Sequence, residues 1–342
     1  MITEHVTRKT QLAILATGTS AFIGILVETS LNVTFPTMMK QFALPLGTIQ
    51  LLTSDYLLMV TIVMSMSGFL LRRFDARPLF RFALISSVGG TLLCVFSGNY
   101  WLLLIGRLVQ ALATGIATPL MFHVILVLVP DSQLGTYMGI ASMITSFAPA
   151  LGPTYGGLLT YYTSWRMIFV LTLPLLAIAA ILGEVSLRLK AKQSKQAFDY
   201  WGLAFLIIVL FSLSEVFNQT ATNGFASSHT LLAIGGTLLG IGLTVWRFRR
   251  TTAPLLNYRI FHSSLVRLRG INFVVLQFIN IGISFVIPIF AQNFLGTNAS
   301  WAGLILLPGS LIGAVISPWA GALYDRRGPN FPLLVSNIAV LV

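Results

Sequence analysis

The chain has 342 residues, of which 56% are hydrophobic and only 9% are charged, and its formal net charge at pH 7 is +12. Soluble domains carry about 25% charged residues, so this composition excludes an ordinary water-soluble enzyme and a disordered chain. The single cysteine, Cys94, excludes a disulfide framework and a cysteine metal cluster. We therefore interpret the sequence as an integral membrane protein.

Ten apolar segments are long enough to cross a bilayer as helices, which takes about 20 residues each. In chain order the predicted spans are 11–34, 48–70, 79–97, 101–129, 136–161, 166–187, 201–218, 230–246, 270–292 and 300–323. An eleventh begins near residue 331 and is cut off by the end of the chain at Val342. Helices satisfy their backbone polar groups internally, as lipid requires, and the segments are too long for β-barrel strands. The fold class is therefore an all-α polytopic membrane protein.

Basic residues are concentrated in alternate connections between the spans. Of the 21 lysines and arginines, 18 lie near the N-terminus or at the connections after spans 2, 6, 8 and 10. The opposite connections contain only Lys40 and Arg166, and Arg107 lies inside span 4. Positively charged loops stay in the cytoplasm, so the pattern predicts a cytoplasmic N-terminus. It also explains the net charge as topology, which argues against a nucleic-acid partner.

Few ionisable side chains lie inside the spans, where each costs about 2.5–3.5 kcal/mol on insertion scales. They are Glu28 in span 1, Asp55 in span 2, Arg107 in span 4 and, near the outer end of span 7, Glu215. The first three have a similar depth in the outer half of the membrane, which predicts one acid–base network facing a central cavity. Asn32 shares a helix face with Glu28, and Gln110 shares one with Arg107. The alternative is that Arg107 neutralises one acid and only fixes helix packing.

Span 5 and span 10 contain helix-bending and close-packing residues. Gly152, Pro153, Gly156 and Gly157 combine a proline, which removes a backbone hydrogen bond, with glycines, which permit close approach of a neighbouring helix. This pattern predicts a kinked crossing that can also act as a hinge. The alternative is a purely structural kink where two helices cross closely.

Two similar stretches close spans 2 and 10. Gly68–Asp75 and Gly321–Gly328 both combine glycine with paired arginines at a cytoplasmic helix end, and they begin 253 residues apart. Repeated halves are common in secondary transporters. The alternative is that glycine and arginine simply end many membrane helices.

Four motifs in chain order carry a resemblance to a known family. They are Glu28–Pro36 in span 1, Arg107–Gln110 with Gly115 in span 4, Ala150–Gly157 in span 5, and Gly321–Gly328 with its degenerate copy Gly68–Arg77. Together they resemble the major facilitator superfamily, specifically its fourteen-span drug:proton antiporters, and Gly68–Phe80 is similar to lincosamide-resistance exporters of Gram-positive bacteria. The sequence departs from the family pattern at Arg72, Asp75, Ala111 and Glu28.

The resemblance implies a proton-coupled secondary transporter in a bacterial plasma membrane that exports amphipathic drugs. Its partners would be the lipid bilayer, a small-molecule substrate and protons, with no cofactor. Residues 1–190 would form a six-helix bundle, 191–250 a linker pair of spans 7 and 8, and 251–342 part of a second bundle. Because spans beyond the eleventh are missing, we expect the chain to be incomplete at its C-terminal side.

The resemblance and the residue costs together select two groups of candidate residues. The proton-coupling and substrate cavity would contain Glu28, Asn32, Asp55, Arg107 and Gln110, with Glu28 as the coupling acid. The gating and hinge positions would be Gly68, Arg72, Arg73, Asp75, Gly152, Pro153, Gly156, Gly157, Gly321, Asp325, Arg326, Arg327 and Gly328.

Enzyme signatures are absent from the sequence. It contains no histidine pair at metal-ligand spacing, no Gly-x-Ser-x-Gly elbow and no phosphate-binding loop, so any pumping would use an ion gradient. Two alternatives to a drug exporter remain, a permease for a small metabolite and an inactive membrane fragment of a transporter.

Overall fold

The computed structural model of the chain describes residues 6–191, 197–251, 254–255, 258–296, 301, 304–305, 307–328, 331–332 and 334–335. Within these ranges the chain is helical and contains no strand. The helices are α1 (Arg8–Asn32), α2 (Phe35–Phe42), α3 (Leu46–Arg73), α4 (Ala76–Val95), α5 (Tyr100–Leu128), α6 (Leu134–Tyr162), α7 (Met167–Val170), α8 (Thr172–Ser186), α9 (Tyr200–Asn223), α10 (Ser228–Arg250), α11 (Ser264–Phe294) and α12 (Leu307–Arg327). Single 3-10 turns lie at Asp131–Gln133 and Tyr258–His262.

The observed helices confirm the predicted all-α class and its spans. In the described part of the chain, nine helical segments are long and apolar enough to cross a membrane. In addition, α11 covers the predicted span 270–292. The sixth span consists of the short α7 continued by α8. The predicted eleventh span lies largely outside the described residues.

The short helix α2 is a feature that the span pattern did not predict. It follows α1 closely and has Pro36 in its first turn. It ends at Phe42, and the next residue, Ala43, has a positive φ of 51° that reverses the chain towards α3. Proline is well tolerated at this position because the first N–H groups of a helix have no partner within it.

The core lies among the first six spans. Helix α1 packs against α5, α6 and α8, while α4 packs against α5 and α3 against α5. Glycine permits these close approaches: a Cβ on Gly24 of α1 would lie 2.9 Å from the Cβ of Thr114 on α5. The largest fully buried side chains include Trp165, Tyr56 and Arg107.

Helices α9 and α10 form an antiparallel pair beside this core. Thr237 donates a hydrogen bond to the Ser212 hydroxyl across the pair at 3.1 Å. At one end of the pair, the buried Asp199 caps α9 through the Gly202 amide and accepts a hydrogen bond from Arg247 at 2.9 Å. The ion pair between the buried Asp199 and Arg247 therefore joins the start of α9 to the end of α10.

Contacts between connections define the two ends of the molecule. At the end that carries the arginine-rich connections, which we call the basic end, the Ala191 amide donates to Asp75 at 2.7 Å. At the opposite end, Trp165 donates to Gln41 at 2.8 Å and Arg166 donates to the carbonyl of Ser97 at 2.7 Å. Connections assigned to one side by their charge therefore meet in space.

Candidate functional site

Arg107 is the most deeply buried charged residue in the described part of the chain. Its side chain is 0% exposed on α5. Nη1 donates to Gln110 Oε1 at 2.9 Å, and Nε donates over 3.4 Å to the carbonyl of Leu52 on α3. Gln110 in turn donates to Thr91 on α4 at 2.9 Å. Three helices thus contribute to holding the guanidinium, as expected when a buried charge needs hydrogen-bond partners.

The guanidinium still has an unpartnered donor. Nη2 of Arg107 is buried and has no hydrogen-bond partner in the structure. The three ion pairs found among the described residues do not include Arg107. Any neutralisation of an acid by Arg107 therefore acts through space in this conformation, without direct contact.

Glu28 lies on the neighbouring helix α1 and is half-buried. It is within electrostatic range of Arg107 and of Tyr56, although no hydrogen bond or ion pair to it is found in the described structure. The structure therefore places the predicted acid and the predicted base in one region without direct pairing.

Asn32 and Asp55 have separate surroundings. The amide oxygen of Asn32, one turn after Glu28, accepts a hydrogen bond from Thr53 of α3 at 3.1 Å. Asp55 is instead in electrostatic range of Glu215 on α9 and of Tyr100 on α5. Successive residues of a helix point about 100° apart, so Tyr56 faces Arg107 while Asp55 faces α9. The sequence predicted one network of three charges, and the structure groups two of them.

Tyr56 joins the site although the sequence analysis did not select it. Its ring lies under the guanidinium of Arg107, with the carbon Cζ 3.9 Å from the ring centroid. Tyrosines are common in apolar helices, so the sequence offers no local signal for this contact.

The crossing of α1 and α6 brings the glycine motif of span 5 beside the acidic motif of span 1. A Cβ on Gly152 would lie 3.1 Å from the Ser30 amide nitrogen, and one on Gly156 would lie 2.9 Å from the Ser30 carbonyl carbon. Pro149 and Pro153 both lie inside α6, and Gly157 follows in the same helix. Close backbone packing therefore occurs within one turn of Glu28.

Asp325 fastens α12 to the N-terminus of α6 at the basic end. Its carboxylate accepts hydrogen bonds from the amides of Gly135 at 2.6 Å and Thr136 at 2.7 Å, and from the Thr136 hydroxyl at 2.7 Å. The first N–H groups of a helix lack internal partners and carry partial positive charge, so a carboxylate from another helix is favourable there. We call this contact the Asp325 latch.

The backbones beside the Asp325 latch are also in close contact. A Cβ on Gly135 would lie 2.6 Å from the Gly321 carbonyl oxygen, and one on Gly139 would lie 2.8 Å from Cα of Pro318. Gly328 ends α12 with a φ of +72°, and the exposed Arg326 and Arg327 precede it. The second copy of the repeated motif thus makes a helix-to-helix contact.

The first copy of the motif has a different partner. Asp75 accepts from Ala191, and Arg77 donates to the carbonyl of Leu187 at 3.0 Å. Arg72 donates to the carbonyl of Gly68 within α3 at 2.8 Å, and Arg73 is in the last turn of that helix. In the described residues this loop therefore binds the segment 187–191 that leads towards α9.

Two small surface depressions are found among the described residues. One is lined by residues that include Phe74 and Leu189, and the other by residues that include Phe69 and Phe198. Both lie at the basic end, and neither is lined by Glu28 or Arg107.

The sequence of the chain is similar to those of known membrane transporters. Residues 17–342 match the Major Facilitator Superfamily. The chain is 33% identical over 326 residues to the lincomycin resistance protein LmrB of Listeria innocua, covering 94% of the chain and 69% of that protein. It is 29% identical over 289 residues to a multidrug resistance protein B homolog of Mycobacterium tuberculosis, covering 84% of the chain and 54% of that protein.

The fold has a solved counterpart. A crystal structure of the peptide transporter POT in complex with sulfate superimposes with a TM-score of 0.60 at 15% identity, covering 96% of this chain and 71% of that one. At this identity the likeness concerns the fold. The chain is thus a multi-pass plasma membrane protein of bacterial type and a transporter rather than an enzyme, and it belongs to the Major Facilitator Superfamily.

Proposed function

We propose that the chain is a proton-coupled exporter of amphipathic drugs in which Glu28 is the coupling carboxyl group. The observation that carries the proposal is the proximity of an unpartnered donor on the fully buried Arg107 to a half-buried acid on the adjacent helix. A membrane protein tolerates such charges at high cost, and they mark ion and proton pathways.

The coupling step follows from this geometry. With a proton on its carboxyl group, Glu28 is neutral and needs no ion-pair partner. When the proton leaves, the carboxylate is attracted to Arg107. A small displacement of α1 against α5 would bring the two groups into contact. Because α1 also crosses α6 at Gly152 and Gly156, such a displacement is transmitted to the helix that the Asp325 latch holds. Proton binding at Glu28 would in this way bias which end of the molecule opens.

The substrate class is supported by the relatives. Proteins that are identical to this chain at about a third of the aligned positions are named for lincomycin resistance, and others are named for multidrug resistance. A cationic or polar drug bound near Glu28 would favour its charged form, so drug and proton would compete for one site, which is what antiport requires. We further propose the fourteen-span arrangement, with α1–α8 as a first bundle, α9 and α10 as a linker pair, and α11 and α12 as part of a second bundle.

The test is gradient-driven efflux in membrane vesicles that contain the full-length protein, with lincomycin and a cationic dye as probes and wild-type efflux as the reference. Glu28→Gln should abolish efflux driven by a pH gradient while leaving the protein in the membrane, and Glu28→Asp should retain part of it. Glu184→Gln is the control, because this acid pairs with Arg81 at the basic end, away from the site. Normal pumping by Glu28→Gln across a pH series would contradict the proposal and make Asp55 the next residue to test.

A further inference from the structure

We infer that Tyr56 is a positioning residue that fixes Arg107 relative to the helical turn of α1 that carries Glu28. This inference rests on the proposed function only for the role of Glu28. The geometry that supports it consists of one aromatic contact and two hydrogen bonds, all made by a side chain that is 0% exposed.

The aromatic contact compensates part of the buried charge. The face of an aromatic ring is electronegative and attracts a cation within about 6 Å, most strongly where water is excluded. The Arg107 guanidinium lies 3.9 Å from the centroid of the Tyr56 ring. Its polar contacts are a hydrogen bond to Gln110 and a longer one to the Leu52 carbonyl. In the described structure the tyrosine ring thus compensates part of a charge that no carboxylate contacts directly.

The hydroxyl group extends this contact to α1. Tyr56 donates to the carbonyl of Gly24 at 3.1 Å and pairs with the Thr114 hydroxyl on α5 at 2.7 Å. A phenol has a single hydrogen, so Thr114 is the donor in the second bond. Within an α-helix, the carbonyl of residue 24 also accepts the backbone N–H of residue 28. Tyr56 therefore binds the same carbonyl group that anchors the backbone of Glu28.

The packing around Gly24 leaves little freedom for this junction. A Cβ at Gly24 would lie 2.9 Å from two carbon atoms of Thr114, so the glycine allows α1 and α5 to meet where Tyr56 reaches between them. Tyr56 of α3 thereby links the Arg107 cation on α5 to the turn of α1 that carries Glu28.

The titratable groups around Arg107 in the described structure come from three helices. They are Glu28 on α1, Tyr56 on α3 and Cys94 on α4. Cys94 is buried, and its thiol contacts the Leu103 carbonyl and Gln110. A neutral thiol and a neutral phenol leave Glu28 as the acid that responds to any movement of the guanidinium.

The experiment measures protonation of Glu28 without requiring transport. An apolar carbodiimide modifies protonated carboxyl groups, so the full chain in membranes is treated over a pH series and the Glu28 peptide is quantified by mass spectrometry. In Tyr56→Leu the guanidinium loses its aromatic partner and turns Nη2 towards Glu28, which moves the labelling midpoint to lower pH by about half a unit or more. In Tyr56→Phe the ring remains but the hydroxyl link to Gly24 and Thr114 is lost, so the midpoint should move in the same direction by a smaller amount. No shift in this variant would show that the hydroxyl does not position the site.

Two further variants make the result decisive. Tyr155→Leu removes a tyrosine of α6 whose hydroxyl donates to the carbonyl of Ile168 at 3.1 Å. The labelling midpoint of this variant should equal that of the wild type. Tyr56→Met, which also lacks an aromatic face, carries the same expectation as Tyr56→Leu if the latter fails to reach the membrane. An unchanged midpoint in the Tyr56 variants without a ring, or an equal shift in Tyr56→Phe or Tyr155→Leu, would overturn the inference. Failure of the proposed function appears separately, in the efflux assay with Glu28→Gln.

Discussion

A single buried arginine organises the candidate site, and its neighbours satisfy it only in part. Gln110, Leu52 and Tyr56 supply two hydrogen bonds and one aromatic face, while Nη2 stays unpartnered. Buried polar groups are normally hydrogen-bonded, and exceptions concentrate where a protein stores a functional constraint. Under the proposed function, this free donor is the group that the Glu28 carboxylate would bind after its proton leaves.

Substitution of Gln110 should show how much this partial satisfaction matters. Gln110→Met keeps the side-chain volume but removes the acceptor of Arg107 Nη1, so a second donor of a buried cation loses its partner. We expect a loss of about 1–3 kcal/mol in stability, measured as a lower apparent melting temperature of the purified chain.

The control for this measurement is Gln11→Met. Gln11 donates to Tyr137 at 3.2 Å in an exposed position, so its loss should cost less than about 0.5 kcal/mol. Equal destabilisation by the two variants would show that Gln110 does not stabilise Arg107.

Among the described residues, the Asp325 latch provides polar contacts between α12 and the first six spans. Its hydrogen bonds are short and charge-assisted, and the glycines beside it bring the two backbones together. A contact at one end of two crossing helices is well placed to control whether that end opens. Asp75, the counterpart in the first copy, binds the segment 187–191 instead, so the two copies of the motif have different roles in this conformation.

Neutralising Asp325 should loosen this end of the molecule. Asp325→Asn keeps the shape of the side chain but removes the charge that the α6 N-terminus favours, a loss of about 1–3 kcal/mol. Spin labels at the exposed Ser132 and Arg326 should then report a new population at longer distance.

The matched variant is Asp131→Asn, a change of the same charge at an exposed residue in the 3-10 turn just before α6. Its distance distribution should match that of the wild type. An unchanged distribution in Asp325→Asn would mean that glycine packing alone holds α12 against α6.

On the scale of the whole molecule, the placement of basic residues predicts the orientation in the membrane. Connections at the basic end should face the cytoplasm, with the α9–α10 turn outside. In a Cys94→Ser background, cysteine replaces one of two exposed alanines, either Ala197 at the basic end or Ala226 at the other. An impermeant thiol reagent on intact cells should label the Ala226 variant and not the Ala197 variant.

Permeabilised cells are the control, since both variants should react once the reagent reaches both faces. If only the Ala197 variant were labelled on intact cells, the orientation would be the opposite of the predicted one.

The sequence by itself determined the membrane class, the positions of the helices and the grouping of their connections at two ends. These properties depend on the length of each apolar segment and on charge outside it, and both are local. It also selected Glu28 and Arg107, because the cost of placing a charge in hydrocarbon marks such residues without knowledge of their neighbours. The proximity of Arg107 and Gln110 follows in the same way from their spacing on one helix.

Only the tertiary structure decided which helix faces meet. A helix that is apolar nearly all round has no polar stripe to show its rotation about its own axis, so the sequence cannot say which neighbour a given residue contacts. That rotation directs Tyr56 to Arg107 and Asp55 towards Glu215, although the two residues are adjacent in the chain. It also brings Gly24 to Thr114, and Asp325 to the start of α6, a contact between residues 190 positions apart. Long-range packing, which local hydropathy does not encode, turned a set of separated polar residues into a site.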